Sequence, residues 1–429
     1  MAAVDNEFQR LLGTADLLPE ESARWVTAEN TIRATMRRFG FGEIRVPIME
    51  PTPLFDKGTG ASTDIVQKEM YTFTDRGNRS ITLRPEGTPS VVRAYLEASL
   101  SARRPTWKLF YIGPMFRAER PQQGRYRQFH QYGAEMIGPG GPEADIELIA
   151  LGAASLADLG ITDVRLVMNS IGAADSRRAH NAALRDFLKS PAVSQALCED
   201  CKRRTETNPL RVFDCKKEPC AKPVKDAPTI DAFLTPEDRD HFAVVRDGLE
   251  RLGIPYAVDV RMVRGLDYYT RTTFEFKTDK LGAQDALLGG GRYDGLVELY
   301  GGPPTPAVGF AAGIERILAV IAQDEQAGSA AERLDVFVCA LGAQAAALTP
   351  VILAALRALN ISADRDFMGR GLKAQMKEAN RLGARRVLIV GDDEIARGQY
   401  VLRLMDRSEQ TEIPADPKDW TADLFRKAC

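Results

Sequence analysis

The sequence predicts a larger α+β domain on a mixed, mainly antiparallel sheet with a helical insertion, then a C-terminal α/β domain. Three observations predict it. Aromatic and β-branched segments such as LDYYTRTTFEF (Leu266–Phe276) are separated by turns, with helix-like stretches grouped elsewhere. A charged, helix-like, cysteine-bearing stretch at about 171–245 interrupts that rhythm. After a small polar linker the order becomes strand–helix–strand–helix–strand, the pattern of a parallel-sheet α/β domain. The expected bounds are 1–325 for the first domain, 326–333 for the linker and 334–429 for the second.

The elements follow in order. A helix is expected from about Glu20 to Phe39, ended by Gly40 and Gly42. EIRVPIME (Glu43–Glu50) reads as a strand, and Pro47 places it at an edge, where a missing N–H is tolerated and a second subunit can dock. Polar strands are expected at Met70–Thr74 and Ser80–Arg84. In LRPEGTPSVVRAYLEASL, Thr88 suits a helix N-cap and Pro89 the first helical position. Glu86 then sits just ahead of a helix start, and Gly87 allows close backbone approach. A helix (Ala144–Leu159) and a strand (Val164–Asn169) precede the insertion. After it come YAVDVRMVRG as a strand, LDYYTRTTFEF, and LLGGGRYDGL, whose glycines 289–291 are read as a tight turn or bulge. TPAVGFAAGIERILAVI reads as a strand entering a helix, with Arg316 in its first turns.

Phe110–Gly138 is the most informative stretch. Between Ser101 and His130 there are seven Lys or Arg and one Glu, on a chain of net charge -2, so the basic density is local. Arg117 and Arg125 bracket a Pro- and Gly-bearing segment, and RQFHQYGAE follows with strand-like alternation. A period of two puts Phe129, Gln131, Gly133 and Glu135 on one face, with Gly133 opening a gap between an amide and a carboxylate. Cations at the loop and a polar floor on the strand suit a nucleotide triphosphate beside a small zwitterion. His130 falls on the opposite face and is assigned to packing or support.

Composition sets bounds. Hydrophobic content of 44% and charged content of 27% are ordinary for a globular chain. No apolar run approaches the ~20 residues of a membrane helix. The early acids of MAAVDNEFQR do not resemble a secretory signal, so a cytoplasmic location is expected. Four cysteines, Cys198, Cys201, Cys215 and Cys220, are spaced C-x2-C, thirteen residues, C-x4-C. That spacing is compatible with a four-thiolate zinc site, and in a reducing compartment reduced thiols or a metal are favoured over disulfides. CEDC in a helix-like segment and Pro219 between the last pair weigh against a zinc knuckle. From Gly369 to Val390, six Lys or Arg face one Glu, which fits either a solvated helix face or a nucleic-acid contact. No HExxH or nucleophile elbow is present.

Together these segments resemble the class II aminoacyl-tRNA synthetases, and within them the histidyl-tRNA synthetase family, over nearly the whole chain. EIRVPIME resembles the family's first motif, at the dimer interface; FRAERPQQGRYRQFHQYGAE its second, which carries ATP; and AVGFAAGIERI its third. RGLDYYTRTTFEF and GGRYDGL are similar to the histidine-specific signatures. The resemblance implies ligation of L-histidine to tRNA(His) through a histidyl-adenylate, with ATP and Mg2+, by a homodimer without a membrane partner. It implies catalytic roles for Arg117 and Arg264, the latter placed where other class II enzymes use an additional metal ion. Arg117, Arg125 and Arg316 would hold ATP; Glu86, Thr88 and Gln131 the α-amino group, with Gly87 beside them; Glu135 and Tyr269 the imidazole, with Tyr268 lining the pocket. The C-terminal α/β domain would bind the anticodon region, and the insertion would approach the acceptor arm. Cysteine number varies within the family, so zinc does not carry over. Pro89 departs from the small residue often found after EGT.

The main rival is the synthetase-like regulatory subunit of ATP phosphoribosyltransferase, a non-catalytic relative that typically lacks the C-terminal domain and key catalytic residues. Arg117, Arg125, Arg264 and Arg316 all stand in this chain, which disfavours it, and they equally disfavour a tRNA-binding scaffold without catalysis.

Overall fold

A computed structural model describes residues 8–426 apart from 61, 62, 64, 121–123, 214, 216, 264, 283, 284, 325–332 and 408. Arg264 and nearly all of the expected linker therefore lie outside the described residues. The chain divides into two compact units, Met1–Ala327 and Gly328–Cys429.

In the first unit the strands are β1 (Gly42–Glu43), β2 (Met49–Pro51), β3 (Tyr71–Thr74), β4 (Ser80–Leu83), β5 (Trp107–Phe116), β6 (Gln128–Ile137), β7 (Arg165–Ser170), β8 (Tyr256–Val258), β9 (Thr270–Lys277), β10 (Ala286–Arg292) and β11 (Ala307–Gly313). Eight of them form a sheet in the order β1-β5-β6-β11-β10-β9-β7-β8, and β2-β4-β3 form a second. The two ends of the large sheet, β1 with β5 and β7 with β8, pair parallel. Its interior pairs are antiparallel. The architecture is the mixed, mainly antiparallel α+β sheet that the sequence predicts.

Alternation gives the sheet two unlike faces. One packs Phe110, Tyr132, Ala134, Phe274, Phe276, Leu288 and Phe310 against Trp25, Ile32, Leu148, Leu151, Val245 and Leu249. Those partners lie on the helices Pro19–Arg38, Pro142–Asp158 and Pro236–Arg251. Ile32, Leu148 and Val245 are fully buried, each stabilising the fold by about 1.5–3 kcal/mol. On the other face lie Tyr111, Tyr268, Tyr269 and Tyr293, with Val91, Val92 and Tyr95 of the helix Thr88–Glu97. Gln131, Gly133 and Glu135 share that second face, since Tyr132, Ala134 and Met136 belong to the first.

Four local readings are corrected. EIRVPIME is not one strand but two short ones, β1 and β2, flanking Ile44–Ile48; Pro47 has no N–H to continue a ladder. Thr88 is not the cap but the first helical residue, Gly87 being the N-cap, and its hydroxyl turns inward to Glu135 instead. Of the two readings of glycines 289–291, the turn is corrected, since they lie inside β10, and the bulge has a counterpart in the register shift at Gly291/Arg292. A Cβ at Gly290 would meet the Gly309 carbonyl oxygen at 2.2 Å, and one at Gly291 the Thr272 carbonyl oxygen at 2.6 Å, so flat backbone packing selects glycine there. YAVDVRMVRG contributes only the three residues of β8, because from Asp259 the chain turns (Asp259 N–H to Met168 O, Met262 N–H to Asp259 O).

Between β7 and β8 the chain is helical, with helices at Ala174–Lys189, Glu199–Thr207, Glu218–Val224 and Pro236–Arg251 among others. This stretch has its own small core of Leu184, Leu188, Leu197, Leu210, Val212 and Val224, together with Cys201 and Cys220.

The second unit holds β12 (Val336–Leu341), β13 (Ala363–Arg365), β14 (Arg386–Gly391), β15 (Gln399–Leu404) and β16 (Gln410–Pro414), ordered β13-β12-β14-β15-β16. β12 pairs parallel with β13 and β14, across the helices Ala343–Ala358 and Leu372–Arg381. The three strands of the predicted alternation are parallel, and beyond them β15 and β16 extend the sheet with antiparallel strands. Short connections allow only hairpin-like pairing there. Among the described residues no helix is long and apolar enough to cross a membrane.

Candidate active site

The sheet register builds the floor. Gly133 on β6 stands opposite Tyr111 on β5 and Ala311 on β11, and Ala311 faces Gly289 on β10. In the next row Glu135 faces Gly309, and Gly309 faces Gly291. Small residues therefore surround the two polar side chains of β6. A Cβ at Gly309 would meet Glu135 Oε2 at 1.8 Å, and Cβ atoms at Gly87 or Gly133 would enter the Tyr111 ring. The glycines keep space beside a carboxylate that lies wholly beneath the surface.

Two buried carboxylates organise one half of the site. Glu135 accepts from Thr88 Oγ1 at 2.6 Å and from Tyr293 Oη at 2.5 Å. Burial pushes its pKa up to about 8; the Thr88 and Tyr293 hydrogen bonds only partly oppose that, and the Glu86 charge adds to it. Glu86 accepts from Tyr268 Oη at 2.8 Å and from Thr59 Oγ1. Tyr268 packs against Tyr269 and Tyr293 with ring centroids 4.8 and 5.6 Å away. Burial, with the Glu86 charge next in weight, drives the Tyr268 hydroxyl far above its ordinary pKa, so it stays a donor. Gln131 Oε1 is buried and has no hydrogen-bond partner among the described residues, an acceptor that a ligand cation suits.

The other half is an open cavity of about 190 Å³ lined by Arg117, Arg125, Arg316, Gln131 and Glu119, among others. Arg117 Nε donates to the Pro85 carbonyl, next to Glu86, and its guanidinium lies 5.2 Å over the Phe129 ring. Arg125 pairs with Glu119 at 2.8 Å, while Arg117 is 3.9 Å from that carboxylate, so Glu119 orients chiefly Arg125. Arg316 donates to the carbonyls of Gly124 and Ala286, which aims it across the cavity mouth. His130 packs edge-on against Trp25, its ring Nδ1 lies 3.0 Å from Glu315 Oε1, and its backbone N–H donates to the same carboxylate. That clamp sets the first turn of the helix Ile314–Asp324 and hence Arg316.

The structure thus brings together Glu86, Gly87, Thr88, Gln131, Glu135, Tyr268 and Tyr269 as one cluster, and Arg117, Arg125 and Arg316 as the adjoining cavity. Arg117 and Gln131 join the two. Two contributors were not read from the sequence. Tyr293 holds Glu135 directly. Arg292 beside it is fully buried, bonding Asp145 at 2.5 and 3.0 Å, Asp294 at 3.0 Å, and the Pro139 and Gly141 carbonyls. Although burial pushes the Asp145 carboxyl up, His241, 3.3 Å away, and the Arg292 charge more than reverse this and hold it below the usual range. The signal available was GGRYDGL itself, an arginine and a tyrosine directly after a glycine run.

Away from this site, the sulfurs of Cys198, Cys201, Cys215 and Cys220 all lie within 4.8 Å of one another, and none is in a disulfide.

Comparison with known proteins identifies the family. The profile of the family described as "Histidyl-tRNA synthetase" matches residues 13–317, and that of "Anticodon binding domain" matches residues 335–417. A histidine–tRNA ligase of Geobacter metallireducens is 47% identical, covering 94% of this chain and 97% of its own length. One from Moorella thermoacetica is 48% identical, covering 94% and 95%. The crystal structure of apo histidyl-tRNA synthetase from S. aureus superposes with a TM-score of 0.81 at 38% identity, covering 98% of this chain and 99% of that one. With a family profile spanning most of its length and relatives of near-equal length at almost half identity, the chain belongs to the histidyl-tRNA synthetase family.

Proposed function

We propose that the protein activates L-histidine with ATP and transfers the histidyl group to tRNA(His). The carrying observation is the junction of the buried Glu86–Glu135–tyrosine cluster with the arginine-lined cavity, in a chain of this family. The histidine carboxylate oxygen attacks the α-phosphorus of ATP; the bond to the bridging oxygen breaks and pyrophosphate leaves with its electron pair. A ribose hydroxyl of the tRNA then attacks the adenylate carbonyl and expels AMP.

Anions meet and charge spreads over phosphate oxygens, so fixed cations supply most of the stabilisation. Arg117 takes the α-phosphate and the attacking carboxylate. Arg264 adds a permanent charge there with a planar donor fork. Arg125 and Arg316 hold the outer phosphates. The α-amino group goes to Glu86, Thr88 and Gln131, and the unpartnered Gln131 oxygen supports this. Glu135 and Tyr269 take the ring nitrogens, with Tyr268 as wall and Gly87 admitting the ligand. A buried carboxyl at the ring rejects apolar isosteres, which leave it unpaired. Magnesium bound with ATP would neutralise the triphosphate; of the two carboxylates lining the cavity, Glu315 is held by His130, so Glu119 is the one that could contact an oxygen-ligated ion.

In this reading residues 1–325 are the catalytic domain, with the insertion at about 171–245, and 334–429 bind the anticodon region of the tRNA. A homodimer in the cytoplasm completes it; the exposed Ile48 and Met49 beside Pro47 support a subunit contact there. The regulatory-subunit alternative is not favoured, because relatives carrying the ligase name match the chain over both units. Histidine-dependent pyrophosphate exchange tests the proposal: active-site-titrated protein exchanges only with histidine present, and the absence of exchange overturns it.

A further inference from the structure

The insertion has a metal-site geometry that the catalytic reading does not use. Cys198 caps the helix Glu199–Thr207 and Cys201 stands in its first turn. Cys220 stands in the first turn of Glu218–Val224, with Cys215 just before it. Four sulfurs from two segments converge within 4.8 Å, close to the ~3.8 Å edge of a tetrahedron with Zn–S bonds of ~2.3 Å. A small contraction closes the site. Cys201 and Cys220 are fully buried, and the Cys198 backbone N–H already donates to Cys220 Sγ at 3.1 Å. Such an N–H bond stabilises a thiolate ligand. From Cys198 to Lys225 there are eight Lys or Arg and five Asp or Glu, an excess that balances a doubly negative tetrathiolate centre. The surrounding core is small, and a helical insertion of this size commonly needs a staple.

The segment between the two cysteine pairs reaches the active site. Asn208 Nδ2 donates to Asp267 Oδ1 at 2.7 Å, and Arg211 lies against Gly265. Arg204, three residues after Cys201, donates to the Arg211 carbonyl at 3.1 Å. Asp267 and Gly265 belong to the loop that carries Tyr268 and Tyr269.

We propose that Cys198, Cys201, Cys215 and Cys220 bind one zinc ion as a tetrathiolate, and that this ion holds Asn208 and Arg211 beneath the histidine-binding loop. The metal assignment stands alone; the positioning role rests on the function proposed above. Full-length protein purified without chelator and reconstituted with zinc under reducing conditions is assayed for metal and by X-ray absorption. The expected result is about one zinc per chain with four sulfur neighbours at ~2.3 Å. Content far below one per chain, or nitrogen and oxygen neighbours, overturns the site.

Cys215→Ser, altering a part-exposed ligand, is expected to lose zinc and raise the histidine KM in pyrophosphate exchange by roughly 2- to 30-fold, with the ATP KM nearly unchanged. Asn208→Ala is expected to keep zinc and show the same KM shift, so the positioning role is readable even where Cys215→Ser does not fold. An unchanged histidine KM in Asn208→Ala overturns that role. Zinc-replete wild-type protein without exchange activity sinks the histidine reading and leaves the metal site intact.

Discussion

The two halves of the site handle charge in opposite ways. In the cavity, Arg117, Arg125 and Arg316 are held by backbone carbonyls and Glu119 and remain partly exposed. Their charge is permanent and is oriented by those partners without rearrangement. In the adjoining cluster the carboxylate of Glu135 is stripped of water and keeps its proton up to about pH 8, fed by neutral hydroxyl donors. An exposed cation needs only orientation, whereas a buried carboxyl depends on every neighbour that shapes it. Perturbing the first half therefore changes rate, and perturbing the second changes selection, pH response and stability together.

The largest effect expected is on the support of the buried half. Arg292→Ala leaves the buried Asp145 with only His241, 3.3 Å away, beside it and destabilises the fold by about 3–5 kcal/mol, measured by denaturant unfolding. A loss under 1 kcal/mol would show that the pair is not a keystone of β10.

Next comes the cavity. Arg117→Ala is expected to lower kcat for histidine-dependent exchange by about 10²–10³ with little change in melting temperature. A comparable loss of stability would erase the contrast between the halves.

Glu135→Gln tests the buried half through its proton. Between the ordinary carboxyl value, 4.5, and about 8, folded Glu135 retains a proton that the unfolded chain has released. Wild-type stability contributed by this group therefore falls as pH rises through that window and levels off above it. Glutamine removes the slope, so the unfolding free energy of Glu135→Gln relative to wild type should rise from pH 5 to pH 9, by about 1.4 kcal/mol per pH unit at most, as read by denaturant unfolding. Its histidine KM should rise while the ATP KM holds. A parallel pH dependence in the two proteins would move the titration elsewhere.

The smallest change is Tyr293→Phe. Losing one donor to a buried carboxyl is worth about 1–3 kcal/mol and should shift the histidine KM–pH profile to higher pH, because that bond lowers the Glu135 pKa. A shift to lower pH would contradict the bond's direction.

Legibility in the sequence followed the range of the physics. The shared face of Gln131, Gly133 and Glu135 was readable because a strand has a period of two whatever its neighbours. The cavity arginines were readable because a basic cluster on a near-neutral chain is a local excess. The strand–helix alternation of the second unit was likewise local, although its antiparallel edge was not. Thr88 was misread as a cap because its partner, Glu135, lies 47 residues away. For glycines 289–291 the turn alternative fails and the bulge alternative holds at Gly291/Arg292; the reason for them, β11 and β9 pressing from both sides, is absent from their own segment.

By itself the sequence determined the order of the elements, the polar face of β6, the placement of the arginines and the cysteine spacing, since each follows from backbone periodicity and side-chain chemistry within a short window. Only the tertiary structure decided that Tyr293 and Thr88 share Glu135, that Arg292 is buried on Asp145, that the sulfurs of four cysteines converge in the insertion, and that Asn208 bonds Asp267 in the loop of Tyr268 and Tyr269. Sheet register and burial join residues far apart along the chain, and the pKa of a carboxyl depends on that joined environment rather than on the residue alone.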